Sequence, residues 1–483
     1  MLGYIKNNLQ RRWKGKGGYH EVMILAIPLV LSTSSWSVQH FVDRMFLTWY
    51  SSEAIAAAMP AGILNFAFMS FFIGTASYVN TFVAQYYGAG RYNRIGPALW
   101  QGIYIAMLGG LIVLCLIPFA GAIFTLVGHD PAVQENEVIY FQYLCLGGAP
   151  VIASLALAGF FSGRGKTWPV MWVNVFATAG NLILDYILIF GKWGFPEMGI
   201  KGAAIATVLS GFFSFLVYVF LIIRPKYNLR YHILKGWRPE KELFARLLRF
   251  GVPSGVQFFL DMAGFTMFVL IMGRLGTINL AATNIAFNIS TLGFMPMIGF
   301  GIAISVLVGQ YLGKDRPDLA QRSVYSGFTM TFIYMASVAV LYVMIPQLFV
   351  APFAAKADPT AFAEIIQLTI ILLRFVAVYS IFDTMNIIFA SAIKGAGDTR
   401  FVMYAIIVIS ACVLTIPTYI AIMVLDYGLM AGWIFASAYV ITLGLVFFFR
   451  FLGGKWKTMR VIEEPVPAIL PELPECPIVD IER

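Results

Sequence analysis

Four carboxylates lie deep inside long apolar stretches of this chain: Asp43, Asp185, Asp261 and Asp383. A charged carboxylate at the centre of a bilayer costs at least about 2.5 kcal/mol, so such residues usually face a cavity, bind a cation or carry a proton. Four of them in one chain indicate that the protein handles ions or protons inside a membrane.

The fifth apolar stretch aligns polar side chains on one face of a helix. Asn174, Asn181 and Asp185 stand at positions i, i+7 and i+11, which share a face at 3.6 residues per turn. Sodium, like calcium, favours hard oxygen ligands, so this stripe predicts either a hydrogen-bonding or a sodium-coordinating site. The alternative is that the asparagines bridge neighbouring helices, as polar residues in membranes often do.

The other three acids each have a polar neighbour about one helical turn away. The pairs are Gln39 with Asp43, Gln257 with Asp261, and Tyr379 and Asn386 with Asp383. We expect Gln39, Gln257 and Asn386 to line a substrate cavity.

The segments that position these acids are duplicated. Residues in the first half recur at a constant offset of 225: Pro28 and Pro253, Ala56 and Ala281, Ala57 and Ala282, Gly74 and Gly299, Gln85 and Gln310, Gly88 and Gly313. A repeat of this length is too long for a solenoid unit and suits half of a transporter. The offset places Phe268 opposite Asp43, so the two halves share a scaffold and place their carboxylates differently.

The composition indicates an integral membrane protein. The chain has 483 residues, of which 60% are hydrophobic and 12% charged, whereas soluble domains carry roughly 25% charged residues. The apolar runs are long enough for helices that span a bilayer, and they lack the alternation of a membrane barrel. We therefore predict an all-α integral membrane protein with twelve transmembrane helices in two six-helix lobes related by a pseudo-twofold axis along the membrane normal.

The net charge of +9 does not indicate nucleic-acid binding. Most of the 33 lysines and arginines fall at the two termini and in the loops on one side of the predicted bundle. The positive-inside rule then places both termini of this multi-pass protein in the cytoplasm. We expect the membrane to be the plasma (inner) membrane of a prokaryote. The four cysteines show no disulfide or metal-binding spacing.

Shifts in composition divide the chain into five segments. They are a basic cytoplasmic N-terminus (1–19), an N-lobe (20–224), a cytoplasmic linker (225–243), a C-lobe (244–454) and a cytoplasmic tail rich in proline and acidic residues (455–483). The composition predicts disorder from residue 461 onward.

Four motifs together resemble the multidrug and toxic compound extrusion (MATE) family over roughly residues 20–455. The motifs are VDRM at 42–45 followed by AIAA at 54–57, NLILDY at 181–186, GVP at 251–253 with Gln257 and Asp261, and FD at 382–383 with KGAGDT at 394–399. The resemblance implies a two-lobed exporter of organic cations and other amphipathic compounds, driven by exchange for protons or sodium.

The resemblance also implies two cation-coupling sites. The N-lobe site comprises Asp43, Asn174, Asn181, Asp185 and Thr207. The C-lobe site comprises Asp261, Tyr379 and Asp383. If sodium is the coupling ion, the resemblance implies that it binds at Asp43, Asn181 and Asp185 or at Asp261 and Asp383. The first set resembles the DinF-like branch of the family and the second set resembles the NorM-like branch, so the coupling ion stays open.

Two other functional classes fit the sequence less well. A flippase for lipid-linked oligosaccharides, from the same superfamily, is the alternative, but it favours a cationic cavity and the spans here are acidic. An intramembrane enzyme is disfavoured because the chain lacks HExxH, an Asp-rich phosphate motif and a Ser/His pair. We expect a monomeric transporter without a cofactor, whose partners are an amphipathic or cationic small molecule and the lipid bilayer, and not nucleic acid.

Overall fold

Long apolar segments adopt helices because a backbone in lipid must satisfy its own hydrogen bonds. The computed structural model of the protein describes residues 13–354 and 359–464. These residues form helices and no strands, with eleven helices long and apolar enough to cross a membrane and one further pair bent by 45°. The bent pair, counted as one span, brings the total to the twelve spans that the sequence predicts.

The first six spans form the N-lobe. They are α1 (Tyr19–Tyr50), α2 (Ser52–Gly88), α3 (Tyr92–Leu126), α4 (Pro131–Leu146 and Gly148–Gly163), α5 (Trp168–Phe190) and α6 (Gly199–Ile223). The bend in α4 falls at Gly147, a residue with weak helix propensity.

The last six spans form the C-lobe. They are α7 (Lys241–Gly273), α8 (Thr277–Gly313), α9 (Pro317–Met344), α10 (Ala363–Ala396), α11 (Thr399–Val424) and α12 (Gly428–Leu452). In α11, π-helical turns at Ser410–Thr415 and Ile420–Val424 flank Pro417. Proline donates no backbone hydrogen bond, so the helix widens around it.

The segment between the lobes is anchored on the N-lobe. It contains a short helix, Pro225–Tyr231, and α7 begins at Lys241, three residues before the predicted C-lobe boundary at 244. The buried Arg164 places its guanidinium 3.7 Å from the ring centre of Phe160 and 4.7 Å from that of Tyr227. These cation–π contacts tie the linker helix to the end of α4.

Repeated glycines lie where the two lobes touch. Gly74 of α2 packs against the backbone of Gly255 in α7, and Gly299 of α8 packs against the backbone of Val30 in α1. Position 255 is the 225-residue equivalent of position 30, so the two contacts are copies of one another. The lobe interface therefore has the pseudo-twofold symmetry that the duplication predicts.

A second symmetric pair of contacts closes one end of the bundle. A Cβ at Gly88 would come within 3.0 Å of the backbone oxygen of Gln310, and a Cβ at Gly313 would come as close to that of Gln85. The backbones of α2 and α8 can approach this closely because both positions are glycine.

The same two glutamines also bond across the interface. Gln85 Nε2 donates to the backbone oxygen of Gly395 at 3.0 Å, and Gln310 Nε2 donates to that of Gly163 at 2.8 Å. Each glutamine thereby satisfies a helix-end carbonyl of the opposite lobe.

We use the name terminal face for the end of the bundle where α1 begins and α12 ends. The contacts between the lobes extend from this face to about the middle of the helices. The farthest of them from the terminal face are the hydrogen bond from Thr33 to Met295 and the ring contact between Phe66 and Phe258. Beyond these, the hydrogen bonds and ring contacts of the described residues join helices of one lobe.

The predicted disorder from residue 461 is wrong for the first residues of the tail. Val461 is fully buried and Ile462 is 8% exposed. The preceding turn, Lys455–Thr458, is fixed by Trp456, which stacks on Phe451 with ring centres 4.9 Å apart. The proline-rich composition begins only at residue 465, and 465–483 lie outside the described residues.

Replacing Trp433 with Ala should destabilise the C-lobe by about 3–5 kcal/mol, because the side chain leaves a large cavity. Trp433 is fully buried in α12, and its indole stacks on Phe287 with ring centres 5.0 Å apart. Thermal unfolding in detergent measures the change in Tm. Trp172→Ala is the control, because the Trp172 side chain is 50% exposed. Equal losses of Tm in both variants would contradict this packing.

Candidate functional site

The N-lobe brings three of the predicted site residues together in its interior. Asn181 and Asp185 are fully buried on α5, and Asp43 on α1 is 7% exposed. With its amide nitrogen turned towards the acids, Asn181 lies 3.1 Å from Asp43 Oδ1 and 3.2 Å from Asp185 Oδ2. One amide therefore bridges two carboxyl groups from different helices.

The two carboxyl groups also contact each other directly. Carboxylates in contact repel one another unless a proton or a cation lies between them. The Oδ1 atom of Asp185 is buried and, among the described residues, has no hydrogen-bond partner. Gln39 and the buried Tyr140 complete the surroundings: the Gln39 amide lies 3.2 Å from the Asn181 nitrogen, and Tyr140 interacts electrostatically with both acids.

Two other predicted members of the N-lobe site lie apart from this pair. Asn174 Nδ2 donates to Ser32 Oγ at 2.5 Å, so this asparagine bridges α5 and α1 instead of binding an acid. Thr207 lies half-buried on α6, and no hydrogen bond in the described part of the chain connects it to Asp43 or Asp185.

The C-lobe acids have a more open arrangement. Asp383 is 8% exposed on α10 and accepts a hydrogen bond from Asn386 Nδ2 at 2.9 Å. Asp261 on α7 is exposed, and Gln257 Nε2 donates to its Oδ2 at 3.4 Å. The two acids interact electrostatically without a bridging amide. The two amides predicted about one turn away, Gln257 and Asn386, therefore donate hydrogen bonds to Asp261 and Asp383.

Three further residues shape the C-lobe site. Tyr379, predicted to join the acids, interacts electrostatically with Asp383, and its hydroxyl lies 3.2 Å from Ser290 Oγ on α8. Lys394 and Tyr439 both interact electrostatically with Asp261, and the sequence reasoning assigned neither of them to the site. Lys394 follows Asp383 by eleven residues, so helical spacing alone could have placed it on the face of that acid.

The two lobes thus surround their acids with different groups. In the N-lobe an amide bridges two acids in contact, whereas in the C-lobe a lysine lies near one of two separated acids. In residues 13–354 and 359–464, no group of three His, Cys, Asp or Glu side chains is placed to hold a metal ion. Of these two arrangements, as far as the structure describes them, only the N-lobe one has a buried carboxylate oxygen without a hydrogen-bond partner, which leaves it for a proton or a small cation.

Comparison with known proteins identifies the family. The MatE family matches two segments, residues 28–187 and 253–420, which together cover more than half of the chain. This chain belongs to the MatE family. Each matched segment begins at one of the repeated prolines, Pro28 and Pro253, so the family matches both copies of the duplicated unit.

Curated relatives share most of their length with this MatE chain. A probable multidrug resistance protein NorM from Thermotoga maritima is 26% identical over 449 residues, which cover 92% of this chain and 94% of the relative. A protein of the same description from Bradyrhizobium diazoefficiens is 30% identical over 391 residues, covering 79% and 82%.

Solved structures agree with the fold of this MatE protein. A MOP superfamily transporter from Pyrococcus furiosus has a TM-score of 0.83 at 19% identity, covering 93% of this chain and 98% of that one. An outward-facing multidrug resistance MATE family transporter has a TM-score of 0.84 at 18% identity, covering 93% and 98%. Membership of the MatE family and the relatives described as multidrug resistance proteins identify this multi-pass membrane protein as a transporter and not an enzyme.

Proposed function

We propose that this protein is a secondary antiporter that exports amphipathic or cationic compounds in exchange for protons or sodium by alternating access. The observation that carries the proposal is the buried pair of Asp43 and Asp185, bridged by Asn181 and left with one unpartnered carboxylate oxygen. A buried acid pair needs a proton or a cation to be stable, which is what a coupling site requires.

The position of α1 links this pair to the lobe interface. Asp43 lies on α1, and the same helix contacts α8 of the C-lobe through Val30 and Thr33. Pro28 interrupts the backbone ladder of α1 near those contacts, and proline is the usual site of a helix bend. Loading or unloading the acid pair is therefore expected to shift α1 where the two lobes meet.

The orientation of the protein in the membrane follows from the distribution of charge. With both termini in the cytoplasm, as the positive-inside rule favours, the terminal face is the inner face, and the contacts between the lobes extend outward from it to about the middle of the helices. The relatives described as multidrug resistance proteins support export of drug-like compounds as the activity. We place the protein in the plasma membrane of a prokaryote.

Inward movement of one charge through about 100 mV supplies roughly 2.3 kcal/mol. At 1.4 kcal/mol per factor of ten, that energy sustains about a fiftyfold gradient of a neutral substrate. Exchange of one proton for one monovalent cation draws instead on the proton gradient alone.

Efflux of ethidium from proteoliposomes tests the proposal, with a proton gradient imposed in one arm and a sodium gradient in the other. Acceleration by either gradient supports antiport and identifies the coupling ion. If neither gradient drives ethidium or norfloxacin, antiport is overturned, and movement of a fluorescent lipid-linked oligosaccharide would then favour the flippase alternative.

Asn181→Leu should lower gradient-driven efflux at least about tenfold, in the range seen when the groups that orient ion ligands are removed. Leucine preserves the volume and removes the amide that bridges the two acids. Asn174→Leu, about two turns away on the same face of α5, is the matched control because that amide bonds to Ser32 instead. Equal losses in the two variants would show that the bridge has no special role.

A further inference from the structure

Residues 459–463, here called the strap, cross from the C-lobe to the N-lobe at the terminal face. They follow the turn Lys455–Thr458 at the end of α12. The backbone N–H of Val461 donates to Gln85 Oε1 on α2 at 2.8 Å, and the Val461 side chain packs next to Gly397 between α10 and α11. A segment of the C-lobe is therefore bonded to the N-lobe helix that closes this face.

Glu463 makes the densest set of contacts in the strap. Its Oε2 accepts from the Tyr86 hydroxyl at 2.6 Å, and its Oε1 accepts from Arg94 Nε at 3.0 Å. Its backbone oxygen accepts from Arg91 Nη1 at 2.8 Å. These three donors belong to the N-lobe, while Arg246 of α7 lies 3.7 Å from Oε2 on the C-lobe side.

Comparison of the two repeats shows which acid the Glu463 carboxylate replaces. Tyr311 of α8 is the 225-residue equivalent of Tyr86, and its hydroxyl donates to Glu21 Oε2 on α1 at 2.6 Å. The equivalent of Glu21 in the second half is Arg246, which cannot accept a hydrogen bond. Glu463 supplies the carboxylate that the second copy lacks, so each of the two tyrosines is bonded to an acid of the other lobe.

We propose that the strap is a latch that holds the lobes together at the terminal face, with Glu463 as its locking group. This inference rests on the proposed alternating access, in which α2 must separate from the C-lobe for the terminal face to open. Opening breaks the bonds from Tyr86, Arg91 and Arg94 to Glu463 and the bond from Val461 to Gln85. The latch therefore favours the state that is closed at this face.

The charge of Glu463 is consistent with this role. Burial raises the pKa of its carboxyl, but the hydrogen bond from Tyr86 and the positive charges of Arg94 and Arg246 outweigh burial and leave the pKa below its ordinary value. The group is thus ionised at neutral pH, where charge-assisted hydrogen bonds to arginine are strongest.

Distances between nitroxides on Lys166 and Lys314 test the latch. Both side chains are exposed at the terminal face, one on each lobe, and can be replaced by cysteine after the four native cysteines are changed to serine. We expect Glu463→Gln to raise the population of the longer, open-face distance at least about fivefold, the lower range of typical conformational couplings. Glu464→Gln removes a charge from the adjacent, exposed residue and should leave the distances unchanged.

Tyr86→Phe provides a second variant, which removes only the hydroxyl from the N-lobe side and should shift the distances in the same direction. Unchanged distances in both Glu463→Gln and Tyr86→Phe would overturn the latch. The readout needs no transport, so a distance shift in a protein that fails to export ethidium would uphold the latch while refuting antiport. Gradient-driven export of ethidium with unchanged distances would support antiport and overturn the latch.

Discussion

Asp185→Asn should abolish gradient-driven efflux while the protein remains folded. Asp185 is fully buried, contacts Asp43 and carries the unpartnered oxygen of the N-lobe pair. Asparagine has the same shape but neither binds a proton nor attracts a cation, so the pair loses its exchangeable charge. We expect a fall of at least about a hundredfold, because members of a site that act as a unit are each required. Ethidium efflux from proteoliposomes under each gradient is the measurement.

The pair should also behave as one unit. Asp43→Asn is expected to match the loss in Asp185→Asn, and the double variant should add little, since groups in contact are not additive. Asp426→Asn is the matched control: Asp426 is exposed in a left-handed turn at φ 54°, a conformation that asparagine tolerates well. That variant should transport normally.

A different result would place the coupling site in the C-lobe. If Asp185→Asn exports at the wild-type rate while Asp383→Asn is inactive, the coupling site lies at Asp261 and Asp383. The bond from Asn386 and the proximity of Lys394 to Asp261 would then be the arrangement to dissect.

The lobe interface was predictable from the repeat because the same close approach of two helix backbones occurs in both copies and requires glycine in each. Gly74 and Gly299 each accept a neighbouring backbone, as do Gly88 and Gly313. A side chain at any of these positions would force two helices apart, so a constant offset between glycines indicates a symmetric contact. The family comparison supports this, since both matched segments begin at equivalent prolines.

The composition of the site was less predictable because helical spacing gives a face and not a depth. Asn174 and Asn181 share a face of α5, yet they lie about 10 Å apart along the axis at 1.5 Å per residue. Only Asn181 lies at the same position along the axis of α5 as Asp43, and that position is set by how α1 packs on α5. Sequence spacing within α5 contains no information about α1.

The strap escaped prediction for a similar reason. Two apolar residues, Val461 and Ile462, precede a long proline-rich and acidic stretch that dominates the local composition. Their burial depends on a groove formed by α2 and the end of α10, which are distant in the chain. Disorder inferred from composition applies to windows of sequence, and a window centred in the tail overlooks a short anchoring segment at its edge.

Gly88→Ala and Gly313→Ala should each prevent the terminal face from closing fully. At both positions a Cβ would meet a backbone oxygen of the opposite lobe, and that oxygen cannot rotate away as a flexible side chain would. The helices must separate by about 1 Å to restore ordinary contact in a close-packed interface. We expect the Lys166–Lys314 distance to lengthen and efflux to fall about tenfold, within the usual range for a shifted conformational equilibrium.

Gly180→Ala separates this steric effect from a change in helix propensity. A Cβ at Gly180 of α5 meets nothing within 4 Å, so alanine there should be neutral or stabilise the helix by up to about 1 kcal/mol. If Gly88→Ala and Gly313→Ala transport as well as Gly180→Ala, the closed interface is not an obligatory state of the cycle. If they fail while their thermal stability holds, closure of the terminal face is a step that transport requires, and the symmetric glycines exist to permit it.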